Sequence, residues 1–340
     1  MTATVAHPTT PPGDEDFTRA ILTRAGRNGG RGGGGGAGRR GPKPELSPGQ
    51  KKALKLARAL VWPAIVVAIL VTQIPFLVTI YYSFQNWNLM RPGSRGFAGF
   101  DNYVTVFTGG AFMQSLSATV VITGSSIVLS VIFGLGIALL LNRKFLGQGS
   151  ARTLVITPFL MMPAAAALIW KWSMLDANVG MVNWGLSVIG IDPVQWNTDF
   201  PALTVIMVLT WQYTPFMMLI LLAGLQIQSQ ETLEAASVDG AGPIRSFTYM
   251  TLPHLRQYIE LAVLLGGIML LQVFDPIAIM TRGTGGTKTL SYLLYERAFV
   301  GLEIGEAAAY GVVTVLLTII VASVALRLLF KIFSSEGAKS

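Results

Sequence analysis

The chain has 340 residues, 52% of them hydrophobic and only 12% charged, which is more apolar surface than one soluble core can bury and too few charges to solvate the remainder. Its net charge of +8 does not require a nucleic-acid partner, because the basic residues gather in the first 58 positions and in short segments between alternate apolar runs. With no cysteine, and His7 and His254 as the two imidazoles, disulfides, thiolate metal sites, cysteine nucleophiles and clustered metal motifs are excluded.

Residues 1–56 read as a disordered, basic, Gly-rich cytoplasmic tail. They carry almost no apolar periodicity, and the stretch 29–36 is glycine apart from Arg31, too little apolar surface to offset the entropy of ordering it. Basic residues ahead of a first span suit the anionic inner leaflet, a simpler use of the Arg and Gly mixture than RNA binding. The first apolar run begins near Ala59, beyond the reach of a cleavable secretory signal.

From there the pattern predicts an all-α, polytopic membrane domain over residues 57–335, with a short cytoplasmic tail at 336–340. Six apolar runs, at 59–82, 115–141, 154–172, 203–225, 259–280 and 307–330, match the roughly 20 residues a helix needs to cross a bilayer. After the first, Arg91, Pro92, Gly93 and Arg95 make an external loop. The second offers small faces at Gly124, Ser125, Ser126, Gly134 and Gly136 for close helix approach, and Arg143 with Lys144 marks its cytoplasmic end.

The third run is interrupted by Pro158 and Pro163, which free helical carbonyls that neighbours or a water-filled route must satisfy. Its Trp170, Lys171 and Trp172 suit an interfacial anchor. Between the fifth and sixth runs, the Gly-rich start of 281–306 gives way to Tyr292, Leu293, Tyr295, Ala298 and Phe299 at spacings of a short surface helix. Arg327 and Lys331 snorkel from the sixth. Six spans place both termini in the cytoplasm, with roughly nineteen of the Lys and Arg residues inside and roughly six outside, as the positive-inside rule expects.

The polar segment between the fourth and fifth runs carries the most complete local signals. Ser229 is an N-cap, Glu231 favours the positive end of the helix dipole, and Gly240 can take the left-handed conformation that stops a helix. Pro243 fits the first turn of a second helix, with Ile244, Phe247 and Met250 spaced as one apolar stripe before Pro253 redirects the chain. A compact helix pair with an apolar edge suits insertion into a groove on another protein.

The spacing Glu234-Ala235-Ala236, three residues, Gly240, nine residues, Met250-Thr251-Leu252-Pro253 resembles the EAA loop of binding-protein-dependent ABC importer permeases. Met250 stands where that signature usually has Ile, a swap that keeps volume and apolarity. The resemblance implies that Glu234, Ala235, Ala236, Asp239, Gly240, Met250, Leu252 and Pro253 build a coupling helix that docks on an ATPase, with Glu234 making the key polar contact. It further implies a second, similar permease, two ATPase copies that bind the ATP and Mg, an extracytoplasmic solute-binding protein, and a multi-pass place in a bacterial cell membrane. On this reading the chain is no enzyme and holds no cofactor.

Covering about residues 57–335, the resemblance narrows toward carbohydrate permeases of the maltose and polyol kind. It does so through Phe100-Asp101-Asn102-Tyr103, Gly180 with Asn183, Trp211 with Pro215 and Phe216, Phe274-Asp275, and Gly305-Glu306-Ala307-Ala308-Ala309. The strings Leu252-Pro253-His254-Leu255-Arg256, Ile259-Glu260 and Gln272-Val273-Phe274-Asp275 look most like sugar-alcohol permeases, although Gly285-Gly286-Thr287 replaces the usual Gly-Gly-Pro. The expected cargo is a sugar alcohol or monosaccharide, with an oligosaccharide such as a disaccharide, or glycerol phosphate, as the alternative.

Polar groups inside spans are costly, which makes Gln212, Gln272 and Asp275 candidates for sugar hydroxyls and Trp211 and Tyr213 candidates for ring contacts, against a purely structural pairing of the same groups. The segment 283–289 only superficially resembles a phosphate-binding loop, since Gly is missing before Lys288 and no strand precedes it. A polytopic membrane enzyme built on Asp275, Glu260 or Glu306 is the remote alternative, without a paired His, Cys or metal motif to support it.

Overall fold

The computed structural model describes residues 48–93 and 95–336, so the expected tail up to residue 47 and the final 337–340 lie outside the described residues. Residues 48–56, expected within the tail, are helical and open α1 (Pro48–Ser83). Met1–Ile65 is one unit, and the account below concerns the other, Val66–Ser340.

After α1, a two-residue antiparallel pair, β1 (Gln85–Asn86) with β2 (Gly96–Phe97), leads to α2 (Asp101–Thr108) and the long α3 (Ala111–Leu141). Then come α4 (Gln148–Leu160), α5 (Pro163–Leu168), α6 (Met181–Val188), α7 (Trp196–Asp199) and α8 (Pro201–Ile227). The remainder is α9 (Gln230–Val238), α10 (Pro243–Ser246), α11 (Leu252–Leu271), α12 (Leu290–Tyr295) and α13 (Ile304–Glu336). Among the described residues, five helical stretches are long and apolar enough to cross a membrane: Ala59–Ser83, Ala111–Leu141, Pro201–Ile227, Pro243–Leu271 and Ile304–Ser323.

The expected third span, 154–172, is not one helix. α4 and the stretch Pro163–Met174 are bent by 93° at Met161 and Met162, and only as a joined pair do they pass as a sixth span. Pro163 is the cause: its ring disfavours the helical conformation at Met162, which sits extended at φ −58°, ψ 130°, as does Met161 at φ −73°, ψ 142°. Beyond the bend, α5 widens into a π turn over Ile169–Met174, closed by Leu175 N–H donating to Trp170 O at 2.9 Å.

The fifth span also differs from the expected 259–280. It runs Pro243–Leu271, because α10, a π turn at Phe247–Thr251 and α11 follow one another without a break. Pro253 therefore does not redirect the chain; the wide turn before it gives its ring room and absorbs the missing N–H. The helix ends early, since Pro276 has no N–H to return to the Gln272 carbonyl, and the chain restarts in a π turn at Ile277–Thr281. Gln272 and Asp275 thus lie past the helix end rather than within a span.

α8 is the centre of the body, with 72% of its most apolar stretch buried against at most 33% in the other spans. Val205 and Leu209 meet Ile122, Leu270 and Ile277 toward one end, and Met218 and Leu221 meet Ala138 and Leu255 toward the other. α3 approaches so closely that a Cβ at Gly134 would stand 2.9 Å from Met218 N, so this crossing requires a glycine.

Candidate functional site: the α9–α11 segment and the helix breaks

The segment after α8 forms locally as its residues dictate. Ser229 caps α9 by accepting from Thr232 N–H, and Gly240, at φ +83°, ends it. Gly240 N–H donates to Ser237 O at 3.1 Å and Ala241 N–H to Ala236 O at 2.9 Å, the paired bonds of a Schellman stop. Pro243 then opens α10 with its missing N–H where no helical partner exists.

Glu234, Ala235, Asp239 and Gly240 are exposed while Ala236 is buried. Val238 and Ile244 stand 86% and 81% exposed at the turn, and Tyr249 follows them outward. Ile244 is therefore not on one stripe with Phe247 and Met250, which are half-buried; the π turn rotates the later residues away from the register of α10. Leu252 and Pro253 are exposed at the base, where Leu255 is buried.

That base is fastened. His254 Nε2 lies 3.0 Å from Gly224 O, and because a carbonyl only accepts, Nε2 carries the proton of this bond. Tyr258 covers the same glycine so closely that a Cβ there would be 2.5 Å from its ring. The start of α11 and the last turns of α8 are thus tied to each other at the base of the loop between them. No local sequence pattern marks this contact; the glycine in α8 was its one visible trace.

The five residues expected to face cargo are separated. Trp211, Gln212 and Tyr213 are consecutive on α8, so helix geometry points them in three directions. Trp211 meets Trp170 edge-on at 5.6 Å along an apolar groove of about 480 Å³ walled by Leu129, Phe133, Pro158 and Pro215. Tyr213 is buried in the cluster with Leu270, Val273 and Ile277, its ring edge toward Phe159. Gln212 donates through Nε2 to Met161 O at 3.1 Å, satisfying a carbonyl that the bend sets free, and its Oε1 is buried without a partner.

At the other end of the bent pair, Lys171 Nζ donates to Ile279 O at 2.5 Å and lies over Trp172 at 5.5 Å. Gln272, exposed, and Asp275, half-buried, stand at the break after α11. Phe274 between them packs on Tyr292 and Tyr295 of α12.

A π turn, Glu296–Val300, continues α12. Lys288 Nζ pairs with Glu296 at 2.6 Å, and Arg297 pairs with Glu303 at 2.8 Å and Glu306 at 3.6 Å. Burial opposes the Arg297 charge, but the Glu303 hydrogen bond and the two carboxylates outweigh it and hold the pKa above its ordinary value. Burial, with the charges of Glu296 and Tyr295 adding, raises that of the Tyr292 phenol. Among the described residues no three His, Asp or Glu side chains gather as a metal site.

Two strings far apart in sequence meet beside this end. Asn102 Nδ2 donates to Ser83 O at 2.8 Å and to Gln85 O at 2.9 Å, and Tyr103 OH is 2.6 Å from Ser83 Oγ. A Cβ at Gly305 would collide with the Gln85 carbonyl, and Gly305 N–H donates to Trp87 O at 3.1 Å.

No family model matches the chain. A probable ABC transporter permease protein of Sinorhizobium fredii is 33% identical over 297 residues, covering 85% of this chain and 96% of that protein. The trehalose transport system permease protein SugA of Mycobacterium tuberculosis is 31% identical over 259 residues, 76% of this chain and 83% of its own length. Among solved structures, a bacterial ABC transporter involved in the import of the acidic polysaccharide alginate matches with a TM-score of 0.71 at 23% identity, over 83% of this chain and 97% of that one, a likeness of fold.

Proposed function

Because this chain belongs to the ABC transporter permeases, multi-pass membrane subunits that are non-catalytic and draw on a partner ATPase, we propose that it moves a disaccharide-sized carbohydrate into the cell by alternating access. The observation that carries the coupling half is the exposed α9 turn. Glu234 and the apolar tips Val238 and Ile244 stand in solvent on a segment whose base is tied to α8 and α11, so a push on the turn is delivered to both spans. The partners on this reading are a second permease, two ATPases holding ATP and Mg, and an external solute-binding protein, with both termini cytoplasmic.

Cargo size rests on the relative named for trehalose, which favours the disaccharide over the sugar alcohol expected from the strings around Pro253 and Gln272. The carboxylates of a membrane enzyme find no support, since Glu260 pairs with Arg256 and Glu306 with Arg297, and neither joins Asp275.

The test is uptake of radiolabelled trehalose, mannitol and glycerol 3-phosphate by proteoliposomes holding the whole assembly, with and without ATP. ATP-dependent entry of trehalose in preference to the other two is expected. Entry of none of them, or ATP-independent entry, overturns the reading.

A further inference from the structure

The short helix α6, between the bent pair and α8, turns its apolar residues outward. At about 3.6 residues per turn, Met181, Trp184 and Val188 fall within about 60° of one another around its axis, and they are 64%, 71% and 69% exposed. Val179 before the helix and Ile189 after it are exposed as well. Across the fifteen positions 177–191 there is no Asp, Glu, Lys or Arg, so the stripe has no charged border.

The opposite side is pinned. Asn183 is buried and uses its whole amide: Nδ2 donates to Asp176 O and to Val194 O, both at 3.0 Å, and Oδ1 accepts from Val194 N–H and Trp196 Nε1–H, both at 3.1 Å. Val182 packs on the cluster of Ala167, Leu175, Val208 and Met280. The stripe is therefore held outward by the bonding of its own helix.

That packing also sets its depth. Val208 lies about 10 Å along α8 from Pro201, while the 27 residues of α8 extend about 40 Å, roughly 10 Å more than the hydrocarbon core. With the excess shared between the two ends, the cluster that supports α6 sits inside the edge of the hydrocarbon, on the side opposite the α9 turn. A soluble partner would approach above the span ends, and a protein interface ordinarily carries a polar rim, which this stripe lacks. An uncharged apolar stripe with a tryptophan at this level matches the boundary where headgroups meet acyl chains.

We propose that α6 is an interfacial anchor whose Met181, Trp184 and Val188 lie in the phospholipid leaflet opposite the α9 turn, while Asn183 passes that hold to the end of the bent pair at Asp176 and to the approach to α8 at Val194 and Trp196. The inference goes beyond the transport reading and needs only that the chain spans a membrane.

The chain has no cysteine, so a single introduced thiol gives a specific label. Trp184→Cys, Val188→Cys and, as the aqueous reference, Asp192→Cys each replace an exposed residue and leave Asn183 untouched. Each is labelled with the fluorophore NBD in the complete assembly, with the assembly of wild-type chain giving the background, and reconstituted in phosphatidylcholine vesicles. Quenching is compared for iodide in the water, for phosphatidylcholine carrying a doxyl group near its headgroup, and for the same lipid with the doxyl group near the acyl terminus. At 184 and 188 the shallow doxyl lipid is expected to remove about half of the emission, with the deep one and iodide removing far less, and at 192 iodide is expected to dominate. Iodide quenching at 184 and 188 equal to that at 192 places the stripe in water and overturns the anchor. Shielding of both positions from iodide and from both lipids assigns the stripe to a protein partner, the second permease first, and also overturns it. None of these readings depends on uptake, so failure of the transport reading would leave the result standing.

Discussion

His254 donates through Nε2 to the carbonyl of Gly224 at 3.0 Å, joining residues thirty apart and closing the segment from α9 to the start of α11 into a loop fastened at its base. A fastened base converts displacement of the turn into displacement of α8 and α11 together. Replacing His254 by Ala removes the bond, worth about 1 kcal/mol, and is expected to let the loop move without the spans. ATP hydrolysis by the assembly should persist while sugar moved per ATP falls several-fold; an unchanged ratio would show the tie to be dispensable.

Gly240 holds φ +83° with nothing within 4 Å of where a Cβ would be, so only its backbone conformation resists substitution. Gly240→Ala should cost about 1 kcal/mol locally, and Gly240→Pro, which cannot adopt that φ, should destroy the turn. Co-purification of the ATPase is expected to weaken for Ala and fail for Pro. Glu234→Arg, with the turn intact, should also abolish it, and retention in all three would place the docking surface elsewhere.

Gln212 separates two roles by measurement. If it serves the bend, Gln212→Leu leaves Met161 O without a partner and lowers thermal stability by about 1–3 kcal/mol, with trehalose affinity little changed. A contact to cargo would give the opposite pattern, loss of affinity at constant stability. Melting of the detergent-solubilised assembly, with ligand binding alongside, decides.

Gly305→Ala drives a methyl into the Gln85 carbonyl and the Asn102 amide, and should lower stability by about 1–3 kcal/mol or more. Gly136→Ala, where a Cβ meets nothing within 4 Å, should be neutral or slightly stabilising as a helix-interior Gly→Ala change. Equal effects at the two sites would remove the tight contact as the explanation.

What the sequence displayed was whatever is encoded over a few neighbouring residues. The spans at Ala111–Leu141 and Pro201–Ile227 are apolar runs of the right length, and the stop at Gly240 follows from one residue type after a capped helix. Pro158 and Pro163 announced an interruption but not its 93° angle, which depends on two extended residues between them. The fifth span begins well before its expected start at 259, because a π turn ahead of Pro253 lets the helix run through it, an accommodation that composition does not reveal. Gln212 with Met161, and Asn102 and Gly305 with Gln85, are pairings across distant segments and leave no periodicity to read.

The bend at Met161 and Met162 has one further consequence. Its inner corner depends on Gln212 of α8, and its far end depends, through Lys171, on the carbonyl of Ile279. Residues 148–174 are therefore not an interchangeable cassette. A chimaera that takes this stretch from a relative should fold only when the positions of Gln212 and of the 277–281 turn come from the same donor, so the three segments form a single unit of inheritance although the chain lists them as three.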